Sequence, residues 1–142
     1  MNLLLDTNVI SEWSKPRPNS GVIRWLAEQD EDRIFMSVVT MAELRHGLER
    51  LPKGGRQEQL RVWIEEDLRE RFEGRILSID ESIAGAWGKI MAASERSGRR
   101  MNVMDGFIAA TAAHWKLTLV TRNVTDFAIA GCEVLSPWTE ES

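Results

Sequence analysis

The stretch Leu3-Leu4-Leu5-Asp6-Thr7-Asn8-Val9-Ile10 decides how this chain is read. Three consecutive apolar residues stop at an acid and two polar residues, the pattern of a short buried strand that ends in a turn. Val9, Ile10 and Trp13 then recur at helical spacing, so the chain passes from strand to helix with Asp6 at the junction.

The same junction recurs outward from that point. Lys15-Pro16-Arg17-Pro18 stops the first helix, and Asn19 or Ser20 caps a second one carrying Val22, Ile23, Trp25 and Leu26. Ile34-Phe35-Met36 reads as a second strand. Thr40 is expected to cap the helix that follows, with Met41, Leu44, Leu48 and Leu51 on its apolar stripe and Pro52 and Gly54-Gly55 as its stop. A charged helix is expected from Arg56 to Phe72, and a third strand at Ile76-Leu77-Ser78-Ile79. A helix capped by Asp80 or Ser82 then runs to the Ser97-Gly98-Arg99-Arg100 loop. Met104 to Trp115 is helical, Leu117 to Val120 is strand four, Thr125 to Ile129 is a short helix, and Glu133 to Leu135 is a small fifth strand. Strands alternating with helices of ten or more residues imply βαβ units. The expectation is one α/β domain spanning residues 1–142, a three-layer α/β/α sandwich with about five parallel strands.

Composition narrows the function. The lone Cys132 has no internal partner for a disulfide, and the net charge of −4 argues against a protein that coats nucleic acid non-specifically. Charge is unevenly spread, because Arg45, Arg50, Lys53, Arg56 and Arg61 face only Glu49 and Glu58 within that segment; an ordinary solvated helix surface accounts for it. The opening lacks a basic leader region, and Asp6 cuts its apolar run far short of the ~20 residues that a membrane span needs. A cytoplasmic protein without a membrane segment is expected. No GxGxxG, GxxxxGK[ST] or GxSxG string is present, and His46 and His114 lie in amphipathic helices as surface or edge residues. Trp25, Trp63, Trp87 and Trp115 fall on apolar stripes and are expected in the core; Trp13 and Trp138 are less constrained.

Four acids stand at comparable junctions: Asp6, Glu43, Asp105 and Asp126. Each has a plain structural role open to it. Asp6 caps a helix, Glu43 lies three residues after Thr40 as in a capping box, and Asp105 and Asp126 lie three residues after Asn102 and Asn123 as first-turn acids. Taken jointly they suggest more, because strand C-terminal ends in an open parallel sheet converge on one crevice where ligands bind. Carboxylates gathered there repel one another unless a cation sits among them, and hard oxygen donors suit Mg²⁺ or Mn²⁺.

Four segments together resemble the PIN-domain family, in particular the toxin ribonucleases of type II toxin–antitoxin modules, the VapC and FitB-like group. They are Leu3 to Glu12, Ser37 to Gly47, Asp105 to Ala112 and Leu117 to Phe127. The resemblance implies a parallel five-stranded sandwich and a Mg²⁺- or Mn²⁺-dependent endoribonuclease. It implies Asp6, Glu43 and Asp105 as the central acids and Asp126 as a fourth, with Asn8, Thr121 and Asn123 as supporting polar groups. Asp6 and Asp105 would hold the metal, joined by Glu43 and Asp126. Many members carry proline shortly before the third acid, where this chain has Met101-Asn102-Val103-Met104. The implied partners are an RNA substrate, a cognate antitoxin that alone contacts DNA, and further copies in a homodimer or larger toxin–antitoxin assembly. Arg45, Arg50, Arg99 and Arg100 are candidate contacts to the RNA backbone. Two other classes fit a strand-end aspartate: an aspartate-based phosphotransfer or receiver-like domain, and a catalytically silent PIN-like binding protein. The first wants a second acid where Asn8 stands, or a lysine where Thr121 and Arg122 stand.

Overall fold

Leu3–Leu5 (β1) forms the middle of the sheet, which explains why its run is apolar without alternation: a central parallel strand is covered on both faces. Ile34–Ser37 (β2) and Ile76–Leu77 (β3) lie to one side, and Thr118–Val120 (β4) and Val134–Leu135 (β5) to the other, in the order β3-β2-β1-β4-β5. All pairings are parallel, with Leu3 opposite both Ile34 and Thr118. This is a computed structural model that describes residues 1–138; the last four residues of the expected 1–142 domain lie outside the described residues.

The helices are Thr7–Ile10 (α1), Ser20–Ala27 (α2), Val38–Arg50 (α3), Gly55–Val62 (α4), Arg69–Arg71 (α5), Glu81–Arg96 (α6) and Val103–Trp115 (α7). They bury two separate apolar layers. Leu3 and Leu5 pack with Val9, Leu48, Ile64, Leu68 and Phe72 on one face of the sheet. Leu4 and Leu119 pack with Ile83, Met91, Ile108 and Phe127 on the other. Alternate residues of one strand thus feed opposite layers, as period-two side-chain direction requires, and the sandwich has three layers. Truncating a fully buried leucine of β1 to alanine removes contacts on one face and costs about 2–5 kcal/mol.

Three local expectations need correction. Ser37, not Thr40, caps α3: Ser37 has extended backbone and its hydroxyl accepts the Val39 N–H at 3.0 Å. The helix therefore begins immediately after β2, and Thr40 is a buried first-turn residue. The helix expected from Arg56 to Phe72 is interrupted by a π-helical segment, Trp63–Leu68, which joins α4 to α5 and keeps Ile64 and Leu68 buried with Glu65 and Glu66 outside. Trp115 was expected in the core but is 52% exposed. It ends α7 just before Lys116 takes a left-handed conformation, and there the chain leaves the packed face for β4. Trp13, Trp25, Trp63, Trp87 and Trp138 pack at the margins of the two layers, and His46 and His114 are exposed. Among the described residues no helix is long and apolar enough to cross a membrane.

Candidate active site

The strand order reverses direction at β1: its chain successor β2 lies on one side and β4 on the other. Ligand crevices of open α/β sheets form at such switch points, outside the strand C-termini. Asp6 follows β1 there. Its N–H bonds the Val120 carbonyl at 2.9 Å, extending the β1–β4 pairing by one residue and fixing the acid at the sheet's end. Its carboxylate is 3% exposed and held at both oxygens, Oδ1 by the Thr7 N–H at 2.8 Å and Oδ2 by the Thr121 hydroxyl at 2.7 Å. Asp6 is therefore the cap of α1, as the sequence suggested, and a cavity-lining acid as well.

Thr121 is buried and gathers the polar groups around it. Its Oγ1 accepts the Asn123 N–H at 3.0 Å and lies 3.5 Å from Asn8 Nδ2, while Asn8 Oδ1 accepts the Arg122 N–H at 3.2 Å. Asn8, Thr121 and Asn123 are thus joined across more than a hundred residues of chain, immediately behind Asp6.

Glu43 sits in the second turn of α3 because Ser37 starts that helix, and this removes the capping-box role read from Thr40 and Glu43. Its Oε1 instead accepts the Thr7 hydroxyl at 2.7 Å, and Thr7 Oγ1 lies 3.0 Å from the Thr40 hydroxyl. Asp105 is a first-turn acid of α7, as expected. Asn102 Oδ1 accepts the N–H groups of Met104 at 2.9 Å and Asp105 at 3.3 Å, doing the capping in this segment without proline. Gly106 presses that turn onto α6. A Cβ at Gly106 would lie 2.7 Å from Met91 Sδ and 2.9 Å from Trp87 Nε1, and Trp87 Nε1 donates to the Val103 carbonyl at 3.1 Å.

Asp6, Glu43 and Asp105 line one cavity of about 380 Å³ together with Asn8 and Asn123. Asp126 does not join them there. It lies on the 3₁₀ turn Val124–Ala130 and lines an adjoining cavity of about 440 Å³ with Asp105, Asn102, Arg99 and Arg100. Its carboxylate is 54% exposed and 3.8 Å from Arg99 Nη2, and Asn123 makes no side-chain cap to this turn. The four acids form a groove with Asp105 lining both halves.

Electrostatics report the crowding. Burial pushes the Asp6 carboxyl above the ordinary aspartate range; the Thr121 and Thr7 hydrogen bonds oppose this, and Glu43 adds to it. Asp105 is pushed up to about 6, first by burial and then by the charges of Asp6, Glu43 and Asp126. The acids thus sense one another across the groove. Among the described residues, however, no three His, Cys, Asp or Glu side chains are drawn together closely enough to form a metal-type cluster. Glu43 is turned toward Thr7 and Asp126 toward Arg99.

Several residues at the groove escaped the sequence reading. Glu12, Lys15, Arg122 and Trp138 line the Asp6 cavity. Glu12 is 2% exposed. Burial works to raise its pKa, but the Asn19 N–H, Lys15 and Arg122 hold it below the usual carboxylate range. The spacing of Glu12 to Lys15 was the available signal, since residues three apart share a helical face. Of the four arginines considered for RNA, Arg99 and Arg100 line the Asp126 cavity, whereas Arg45 and Arg50 line neither cavity and Arg45 is paired with Glu65 at 2.9 Å.

The family described as PIN domain matches residues 3–130. Toxin FitB of Neisseria gonorrhoeae is 38% identical over 136 residues, covering 96% of this chain and 98% of that protein. The VapC ribonuclease Y4jK of Sinorhizobium fredii is 35% identical over 136 residues, covering 96% and 97%. Among solved structures, that of FitAB bound to an IR36 DNA fragment superposes with a TM-score of 0.91 at 36% identity, covering 99% of this chain and 98% of the matched one.

Proposed function

Because the chain belongs to the PIN-domain family, we propose that it is the toxin of a type II toxin–antitoxin module, an endoribonuclease that hydrolyses RNA phosphodiester bonds with a metal-activated water. The observation that carries this reading is Asp6: a nearly buried carboxylate held at both oxygens, sharing its cavity with Glu43 and Asp105. Such placement has a cost that capping alone does not demand.

The donor set fits a hard divalent cation. It is anionic and all oxygen, and Asp105, raised first by burial, is raised further by the charges of Asp6, Glu43 and Asp126, a repulsion that a cation relieves. Asp6 and Asp105 would hold Mg²⁺ or Mn²⁺, with Glu43 from the same cavity and Asp126 from the adjoining one. When bound, the ion lowers the pKa of a coordinated water and offsets charge building on the phosphoryl oxygens. The chain supplies the rest. Thr7 and Thr121 fix the direction of Asp6, and Asn8 and Asn123 hold Thr121 in place. Glu43 keeps Oε2 available to orient the attacking water while Oε1 is engaged by Thr7.

The reading extends to partners. Relatives are named as a toxin and as a ribonuclease, and a matched structure is a FitAB complex on DNA; by that likeness this chain pairs with its own antitoxin, which carries the DNA contact, and assembles as a dimer or larger set of pairs. A basic antitoxin side chain is drawn to the acidic groove by charge alone. The place of action is the cytoplasm, where the RNA is.

Expression of the chain with and without Asp6→Asn tests the proposal, scoring growth arrest and sequencing the 5′ ends of RNA fragments. Arrest and cleavage lost with the mutation, and lost in purified protein with EDTA, support it. Cleavage that survives Asp6→Asn overturns the site, and cleavage that survives EDTA overturns the metal.

A further inference from the structure

The acidic groove has a basic lip at its Asp6 end. We propose that Lys15, held in place by Glu12 and flanked by Arg122, forms a phosphate subsite that seats the RNA backbone beside the cleavage centre. The proposal rests on the ribonuclease reading and goes beyond it by assigning residues to substrate positioning.

A carboxylate that is 2% exposed must be compensated, because burying an unpaired charge is costly. Glu12 has two partners. Oε1 accepts the Asn19 N–H at 2.7 Å, and Oε2 is paired with the Lys15 ammonium. One side chain thus ties both ends of the Lys15-Pro16-Arg17-Pro18-Asn19 segment, whose two prolines already limit its backbone freedom. The Asn19 bond fixes the residue that caps α2. The Lys15 bond does something different: it holds a half-exposed lysine at the wall of the cavity that contains Asp6, Glu43 and Asp105. Lys15 therefore has two effects: it compensates the buried Glu12 charge, and it leaves a fixed ammonium where ligands enter the cavity.

RNA approaching this groove meets carboxylates that repel its phosphates, and cations at the rim add to a metal bound among the acids in offsetting that. Lys15 has two further N–H donors beyond the one given to Glu12. Arg122 lines the same cavity, its backbone N–H fixed to Asn8 and its guanidinium 5.5 Å from the Trp138 ring centre. Both line the cavity that holds the acids, and both lower the Glu12 pKa by their charge. Such contacts position the strand without reading its sequence. Glu12 is therefore a positioning residue that acts through Lys15.

The test uses full-length protein carrying Asp105→Asn, so that RNA stays intact, and measures binding of a single-stranded 20-mer RNA by anisotropy across a KCl series. Lys15→Met should weaken binding and reduce the slope of log K against log salt by about 0.7, the loss of one phosphate contact on a single strand. Glu12→Gln, which keeps an acceptor for Asn19, should lose the same slope, and the double variant should lose no more than Lys15→Met alone. In cleavage-competent protein that keeps Asp105, Lys15→Met should raise KM with kcat little changed, and Lys15→Arg should restore KM. An unchanged slope in Lys15→Met overturns the subsite. A full slope in Glu12→Gln overturns the positioning role, and if that variant does not fold, the Lys15 variants decide. A parent that binds no RNA at all overturns the ribonuclease reading and the subsite with it.

Discussion

The two halves of the acidic groove are built differently. At the Asp6 end the acid is 3% exposed, both its oxygens are bonded, and its supports Thr7, Thr121, Asn8 and Asn123 are bonded to one another or to Glu43. At the Asp126 end the acid is 54% exposed, rests on a 3₁₀ turn, and faces Arg99 at a loose 3.8 Å. Rigid placement suits groups that must be aligned with reacting atoms, since small displacements there are costly. Loose placement suits groups that only need to meet a substrate or partner of varying shape. Asp105 lies between the two and belongs to both cavities.

This contrast predicts that mutations at the two ends differ in scale. Asp6→Asn should lower RNA cleavage by on the order of 10²–10³-fold, the usual loss when one preorganised electrostatic group is removed, with circular dichroism unchanged. Thr121→Val comes next: it removes a hydrogen bond to a charged, buried oxygen, and should cost about 1.5–3 kcal/mol in thermal unfolding along with about tenfold in cleavage. Gly106→Ala strikes the divide. Its Cβ meets Trp87 and Met91 at under 3 Å, so overpacking should destabilise by about 1–3 kcal/mol and displace Asp105, read as a lower Tm together with a lower cleavage rate. Asp126→Asn should be the mildest, at less than about tenfold in cleavage, because the group is exposed and weakly tied. A loss in Asp126→Asn as large as that in Asp6→Asn would break the comparison.

Asp105 adds a pH test. Its folded pKa of about 6 exceeds the ordinary aspartate value of 3.8, so the folded state holds this proton more tightly than the unfolded chain. The resulting stability is full below pH 3.8 and is lost as pH rises through about 6. In EDTA, Tm should therefore fall across that window by an amount that Asp105→Asn removes, and at pH 7 the variant should melt above the wild type while cleaving far less RNA. A variant with the same pH dependence as the wild type would show that Asp105 does not carry the repulsion.

Much of this was legible because the central strand is short and extreme. Leu3, Leu4 and Leu5 could only be covered on both faces, and the abrupt Asp6 marked where that covering ends. The α/β/α class and the groove position of Asp6, Glu43 and Asp105 followed. Glu43 was harder, since Ser37 and Thr40 are both good caps three residues apart and sequence does not choose between the registers; the strand's end does. Trp115 misled because a helical stripe says nothing about where packing stops along a helix. Glu12 was passed over because exposure is the default for glutamate, and its burial depends on Asn19 and Lys15 closing around it. Asp126 was placed with the others by its strand-end position, whereas the 3₁₀ turn carries it to the neighbouring cavity.

The bond between Thr121 and Asp6 joins positions 115 apart in a chain of 142 residues, and β1 cannot complete its own pairing until β4 is available. A ribosome adding about 5–20 residues per second therefore needs several seconds after making Asp6 before the strand that orders this acid exists. The same topology makes order around Asp6 a late event: β1, β2 and β3 can all be made while the acid still lacks the strand and the hydroxyl that hold it.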